Sequence, residues 1–502
     1  MSSSTTGRAL SLPDWMPAWL LWGALLCGAV ILFAAAQYSI NAVNGWWADE
    51  LFALWASDTS VSFATAYSER IARDTNPPLY FSILYWVRSI VVNDRAAVLI
   101  LNTACTAAGS AAVLLLSRPS RLTGLATAGI AAFLLSGPLM RYASEGRAYL
   151  PALVVAFVAS WCVALAVQAP RDRPPPWAFV AVGAVAALVH VYAALFCGVL
   201  AAGLLLLVLL DRSRRDLVGP ALALGVSTSI VFGLWLATIV DSFGRVDWIE
   251  FSAREVLNAA WFVKELTVGY RLAGMLLLVL LLFGLLRGST RPVTLVFAAT
   301  FALFIALPLL VSLKKPIILG RYWVIGAPGL IVLVAFLARA WWTETGANRL
   351  ASWLLLGVAL LACVTSLSGF LAARTLISAK PVWKGADIVR PLVENCPDRS
   401  IHVGSAGIVN SRASLPYFAR MADMREGLFA DAGSSATPNL AAATARCPVM
   451  GWAEHVLRGD DFLARAPDAE LLRLLRISAR PQDVEIRRHP SGFVVLKRSP
   501  AQ

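Results

Sequence analysis

The side chains with the most chemical potential stand in short polar stretches between long apolar runs. Asp49 and Glu50 form an adjacent carboxylate pair. Asp74 and Asn76 follow within Asp74-Thr75-Asn76-Pro77-Pro78, with Tyr80 just beyond. A third stretch carries Arg141, Tyr142, Glu145, Arg147 and Tyr149. Later come His190 and Tyr192, then Lys314 and Lys315, then Arg321 and Tyr322. A carboxylate can take the proton of a weakly nucleophilic hydroxyl. Arg, Lys and Tyr donors aimed at a departing phosphate stabilise charge that grows in the transition state. A sugar on a lipid phosphate already has a good leaving group, so such a reaction needs a base more than a strong acid.

Each of these elements also has a plainer reading. Adjacent acids usually mark a solvated loop. The Asp74–Pro78 stretch reads equally as a turn and helix start, because Pro suits the first helical position. Arg141 and Arg147 can anchor helix ends at lipid headgroups or pair with Glu145. His190 reads first as a satisfied helix-end residue, and Lys314, Lys315 and Arg321 as contacts to lipid phosphate. The stronger signal is collective: the spans hold almost no ionisable residue away from their ends, and the unusual polar residues gather in loops that alternate to one side. Charges inside a bilayer are costly and usually mark ion or proton pathways, so their scarcity argues against a proton-coupled transporter.

The elements that must position this set are membrane helices. The chain has 502 residues, 58% of them hydrophobic and 15% charged, with a mean hydropathy of +0.69. Crossing a bilayer core takes about 20 apolar residues. Eleven runs approach that length, near 17–40, 96–117, 122–140, 149–169, 177–191, 193–210, 217–240, 272–286, 292–313, 322–340 and 350–372. The predicted fold class is therefore an α-helical polytopic membrane protein of about 11 spans. The first run ends in Ala34-Ala35-Ala36-Gln37, similar to a signal-peptidase site; its length and the weakly basic segment ahead of it favour an uncleaved span after a cytoplasmic tail, 1–16. Residues 41–95 form a large first loop with interfacial Trp and Tyr, including a helix near Leu79–Ile90.

Arginine clusters fall in alternate connections: Arg118/Arg121, Arg171/Arg173, Arg212/Arg214/Arg215 and Arg287/Arg291. Cytoplasmic turns carry such clusters. The pattern puts the 41–95 loop, the polar stretches and the C-terminal part on the extracytoplasmic side. It depends on splitting the apolar run 177–210 at His190-Val191-Tyr192. The formal net charge of +13 suits loops held at lipid headgroups. Nucleic acid is excluded as a partner, because no basic patch is interleaved with exposed aromatics.

Composition shifts after Ala372. Residues 373–502 carry 18 of the 43 Lys and Arg and no spanning run. A helix over Val382–Glu394, a strand over Ser400–Val403 and a hairpin around Pro490-Ser491-Gly492 suggest a small extracytoplasmic α/β domain. There Cys396 and Cys447 are open to a disulfide or to remaining unpaired. The other five cysteines lie in apolar runs and read as inert, and no Cys/His metal spacing occurs.

The residues 40–150 resemble the GT-C superfamily of glycosyltransferases, nearest the protein O-mannosyltransferase and aminoarabinose lipid A transferase group, the glycosyltransferase 39 type. The resemblance rests on Trp47-Ala48-Asp49-Glu50, on Asp74-Thr75-Asn76-Pro77-Pro78-Leu79-Tyr80-Phe81, and on Arg141-Tyr142-Ala143-Ser144-Glu145-Gly146-Arg147-Ala148-Tyr149. His190-Val191-Tyr192, Gly320-Arg321-Tyr322 and Pro381-Val382-Trp383-Lys384 add to it. It implies a catalytic domain over 17–372 and a polyprenyl-phosphate sugar as donor. It also implies work on the outer face of a bacterial inner membrane, and inversion at the anomeric carbon. Asp49 would be the base and Glu50 its aid. Arg141, Arg147 and the Arg321-Tyr322 pair would be candidates for the lipid phosphate. No DxD motif is present, so no metal or other cofactor is expected. The C-terminal part does not resemble the repeated β-trefoil domain of eukaryotic protein mannosyltransferases, which favours lipopolysaccharide, lipid A or another glycoconjugate over a protein Ser or Thr as the expected acceptor. Two other classes stand as rivals. A lipid-linked sugar flippase would show related halves and broken helices at mid-membrane. A non-catalytic partner protein would tolerate changes in the Asp49 loop.

Overall fold

The structure is a computed structural model. It describes residues 18–43, 48–72, 74–120, 122–239, 282, 284–314, 317–318, 320–344, 401–405, 429–431, 449–452, 466–474, 480–489 and 492–497. Two compact units form, one of residues 1–41 with 62–373 and one of residues 42–61 with 374–502.

The first unit is helical. Its elements are α1 (Ala18–Val43), then, after α2 (Ala48–Ala56) of the second unit, α3 (Phe63–Ala66), α4 (Leu79–Ile90), α5 (Asp94–Ser117), α6 (Thr123–Leu134), α7 (Gly137–Tyr142) and α8 (Tyr149–Gln168). They continue with α9 (Pro176–Val189), α10 (Val191–Leu210), α11 (Val218–Ile239), α12 (Arg291–Ser312) and α13 (Ala327–Glu344). Six helices among the described residues are long and apolar enough to cross a membrane, so the chain is a multi-pass membrane protein. Most of the expected 272–286 span and all of the 350–372 span lie outside the described residues.

The expected span 122–140 departs from its reading. It breaks after α6, because Ser136 turns extended and its hydroxyl accepts the Leu139 N–H at 3.4 Å, capping α7. Pro138 follows in the first turn of α7, where its missing N–H costs nothing. The expected break at His190 is present. His190 sits at φ −160° and ψ 138°, and its Nδ1 accepts the Tyr192 N–H at 3.1 Å, so it ends α9 and caps α10.

Helix α8 is the axis of the unit. It is apolar all round, the signature of a helix enclosed by others, and its spanning window is fully buried. Its few polar atoms are partnered sparingly: the Trp161 indole N–H donates to the Ser117 hydroxyl at 2.8 Å. Helices α9, α10, α11 and α12 approach one another through small residues. A side chain on Gly183 would meet the Leu224 carbonyl oxygen at 2.8 Å, and one on Gly203 the Val296 carbonyl oxygen at 2.8 Å. Close backbone approach of this kind drives helix association in lipid, where no hydrophobic gain is available.

The polar contacts define two opposite ends. At one, Gln168 donates to the Ser289 carbonyl at 3.1 Å, Arg214 donates to the Val167 carbonyl at 3.2 Å, and Arg173 pairs with Asp216. At the other, the rings of Tyr149, His190, Tyr192 and Tyr322 meet. Among the described spans, α8 and α10 therefore run from the aromatic end to the arginine-bearing end, while α9, α11 and α12 each start at the arginine-bearing end, so the clusters from Arg171 to Arg291 share one end.

The second unit contains α2 (Ala48–Ala56) and a five-stranded sheet. The strands are β1 (Ile401–Ser405), β2 (Phe429–Asp431), β3 (Val449–Trp452), β4 (Val484–His489) and β5 (Gly492–Lys497), in the order β2-β1-β3-β5-β4. β1 pairs parallel with β2 and β3, while β5 pairs antiparallel with β3 and β4. Parallel neighbours need long crossovers, and a short helix, α14 (Asp468–Leu474), precedes the final hairpin. That hairpin sets His489 opposite Gly492, around the Pro-Ser-Gly turn read in the sequence. The Val382–Glu394 helix, Cys396 and Cys447 lie outside the described residues.

Replacing Gly203 with Leu forces side-chain carbons onto the Val296 backbone and is expected to cost about 1–3 kcal/mol. Thermal unfolding of the purified protein in detergent checks this; an unchanged midpoint would contradict the close α10–α12 approach.

Candidate functional site at the aromatic end

The site is built on the turn between α7 and α8. Residues 143–148 form a non-helical link, and it is fastened from a neighbouring span. Asn102, buried within α5, donates both side-chain N–H groups, to the Ala143 carbonyl at 2.8 Å and to the Glu145 carbonyl at 3.0 Å. Gln37 of α1 donates to the Met140 carbonyl at 3.3 Å. These two amides satisfy carbonyls that would otherwise be stranded next to lipid. The sequence reading did not single out Asn102 or Gln37. The signal was available: each is an amide inside an otherwise apolar run, where a polar group must find a partner.

Three cations gather around the turn, each placed over a ring. The Arg141 guanidinium lies 5.5 Å from the Tyr142 ring centre, and that of Arg147 lies 5.8 Å from the Phe81 ring centre. Arg321, arriving from the 3₁₀ segment ahead of α13, lies 5.9 Å from Tyr149 and 5.8 Å from Tyr322. Rings attract cations at such range. The rings themselves interlock: Tyr142–Tyr149 at 5.0 Å, Tyr149–His190 at 5.4 Å, His190–Tyr322 at 5.7 Å and Tyr192–Tyr322 at 4.7 Å. Tyr142, Tyr149, His190 and Tyr192 are buried, while Arg141, Arg147, Arg321 and Tyr322 keep part of their surface open. The open face of the site is thus cationic on an aromatic base.

Burial, with the Arg147 and Arg321 charges adding to it, pushes the pKa of the His190 imidazole down to about 3 and so favours its neutral form. Its Nδ1 accepts a backbone hydrogen bond, which leaves the ring proton of that form on Nε2. Tyr192 donates its hydroxyl to the Ile317 carbonyl at 3.0 Å and so ties down the chain between α12 and α13.

Asp74 brings the negative charge. Its carboxylate accepts from the Asn76 side chain at 3.5 Å, a long contact, and from the backbone N–H groups of Thr75 and Asn76. Part of its surface is open, yet protein atoms crowd it on the remaining sides. Burial raises its pKa above the ordinary 3.8, and the Arg147 charge opposes that rise without cancelling it. Tyr80 and Glu145 are buried beside these segments.

An apolar groove of about 320 Å³ runs between α4, α5, α8 and α9. Its lining includes Tyr80, Pro151 and Val189, near neighbours in the chain of Phe81, Tyr149 and His190. Part of the groove lining thus lies on the segments that carry the aromatic end.

The structure gathers Asp74, Asn76, Tyr80, Arg141, Tyr142, Glu145, Arg147, Tyr149, His190, Tyr192, Arg321 and Tyr322 at one end of one unit. Lys314 is exposed just beyond α12, and Lys315 lies outside the described residues. Asp49 stands in the first turn of α2 in the second unit, and its side chain lies outside the described part of the structure. Glu50 beside it is fully buried. Among the described residues no cluster of three or more His, Cys, Asp or Glu has the arrangement of a metal site.

The chain shares its overall fold with solved membrane proteins. Two crystal structures of ArnT from Cupriavidus metallidurans match it, one bound to undecaprenyl phosphate and one in the apo state. Each has 15% sequence identity and a TM-score of 0.54, and the match covers 95% of this chain and 98% of that one. No protein-family model and no curated protein sequence matches the chain.

The raised pKa of Asp74 has a consequence for stability. The folded protein holds that proton more tightly than the unfolded chain does. This contribution to stability is full below about pH 3.8 and is lost as pH rises through the folded value. Asp74→Asn is therefore expected to raise the thermal midpoint at neutral pH, with the gain shrinking as the medium is acidified. A midpoint at neutral pH equal to or below that of the wild type would contradict the burial cost.

Proposed function

We propose that the chain is a glycosyltransferase. It moves a sugar from a polyprenyl-phosphate carrier to a cell-envelope acceptor at the outer face of the cytoplasmic membrane. The observation that carries this reading is the cationic face of Arg141, Arg147 and Arg321, on segments that also contribute Tyr80, Pro151 and Val189 to the lining of an apolar groove. A lipid phosphate has those two parts, an anionic head and a hydrocarbon tail. Undecaprenyl phosphate is bound in one of the two similar ArnT structures, and the shared fold supports a carrier of the same kind here.

In this reading the tail stays in the groove and the phosphate meets the arginines. Bidentate guanidinium contacts to phosphate oxygens are strong and directional. As the bond from the anomeric carbon to the phosphate oxygen breaks, charge grows on that oxygen, and the arginines and Tyr322 stabilise it. Asp49 takes the proton from the acceptor hydroxyl, whose oxygen bonds to the anomeric carbon as the lipid phosphate leaves. Glu50, fully buried beside it, orients rather than touches substrate. Asp74 holds the Arg147 guanidinium and lends the site a carboxylate for sugar hydroxyls. No metal is needed in this scheme, because the leaving phosphate is neutralised by arginine. The arginine-bearing turns face the cytoplasm by the positive-inside rule, which puts the aromatic end outside. The acceptor is a lipopolysaccharide, lipid A or another envelope glycoconjugate.

Asp49→Asn is expected to leave expression and membrane insertion intact and to lower sugar transfer by at least about 100-fold, the scale of losing a base. Turnover near the wild-type rate would remove Asp49 from the mechanism. Arg147→Gln is expected to weaken undecaprenyl-phosphate binding by about tenfold or more, the scale of a lost hydrogen bond to a charged group. Native mass spectrometry of the purified protein with that lipid reads the change, and unaltered retention would contradict the assignment of the phosphate.

A further inference from the structure

The end of the helical unit opposite the site has a charge distribution of its own. Three connections meet there, at 168–176, 210–218 and 284–291. They are laced by the Gln168–Ser289 hydrogen bond, the Arg214–Val167 hydrogen bond and the Arg173–Asp216 ion pair. Seven arginines stand in these turns against three aspartates. Two of the aspartates are already engaged: Asp216 with Arg173, and Asp211 with Arg214 at 3.8 Å and with the Ser213 N–H and hydroxyl. Arg171, Arg212, Arg215 and Arg291 are exposed and have no ion-pair partner among the described residues.

We propose that these laced turns form a binding platform for anionic phospholipid headgroups. The occupant follows from what adjoins the cations. Leu209 and Leu210, 75% and 66% exposed, immediately precede the segment that carries Arg212 and Arg215. Trp177 and Leu286, 68% and 85% exposed, stand beside the other two turns. A ligand that reaches these arginines therefore also touches hydrocarbon-facing side chains. A soluble polyanion would satisfy the charges and leave the apolar neighbours in water, whereas a lipid satisfies both. Trp favours the boundary between headgroup and acyl chain, and a surface arginine near an anionic membrane adds about fivefold to affinity. The lacing matters because it fixes the three turns together before any lipid arrives, so binding orders little new structure.

The full-length protein, purified in a neutral detergent, would be titrated with phosphatidylglycerol, phosphatidylcholine and inorganic phosphate. Retained lipid would be read by native mass spectrometry. The wild type is expected to retain phosphatidylglycerol in preference to phosphatidylcholine, with no displacement by inorganic phosphate. The combined variant Arg171→Gln, Arg212→Gln, Arg215→Gln, Arg291→Gln is expected to lose at least about twentyfold in affinity for phosphatidylglycerol. Arg215→Gln alone keeps the test open if the combined variant does not fold, and is expected to lose about fivefold. Equal retention of the two lipids, wild-type affinity in these variants, or displacement by inorganic phosphate would each overturn the platform.

Discussion

A guanidinium cannot sit at the edge of hydrocarbon without a partner, because its charge is costly to strip of water. That constraint organises the aromatic end of the helical unit. Arg141, Arg147 and Arg321 each lie over a ring; Arg147 covers Phe81, and the rings under Arg141 and Arg321 belong to an interlocked set that reaches from the α7–α8 turn to the start of α10 and the segment ahead of α13. The cations are thereby held where apolar protein gives way to an open surface. Asp74 meets the same demand from the other sign, accepting the cost of burial in return for the Arg147 charge.

The rest of the unit keeps this end in place. Helix α8 is enclosed on every side, so its first residue, Tyr149, has a fixed position. Close approach at Gly183 and Gly203 holds α9, α10, α11 and α12 near one another, which in turn sets His190 and Tyr192 against Tyr322. Asn102 and Gln37 reach out of their spans to fasten the backbone around the α7–α8 turn. Rigid spans and a pinned turn give a preorganised cationic face, and such a face acts on developing charge with little reorganisation.

Much of this was legible in the sequence. The apolar runs marked the helices because a bilayer imposes a length, and the His190 break was visible as a polar residue between two runs. The arginine clusters marked one end, and the motifs that carry the family resemblance marked the other. What was not legible had local causes. The break at Ser136 depends on a hydroxyl cap that hydropathy does not register. Asn102 carries no charge and hid within an apolar run, although its polar side chain needed a partner. Strands β2 and β3 are short, and their pairing is set by parallel contacts distant in sequence, which no local pattern encodes. The first-loop helix α2 groups with residues 374–502, a tertiary preference without a sequence signature.

The central claim is that the aromatic end is a lipid-phosphate site. A cryo-electron microscopy structure of the full-length protein in nanodiscs with undecaprenyl phosphate tests it most directly. The account predicts phosphate density within hydrogen-bond reach of Arg147 or Arg321, with the tail entering the groove between α4, α5, α8 and α9. Phosphate density only among the arginine turns at the opposite end, or an aromatic end that stays empty while lipid binds elsewhere, would contradict it.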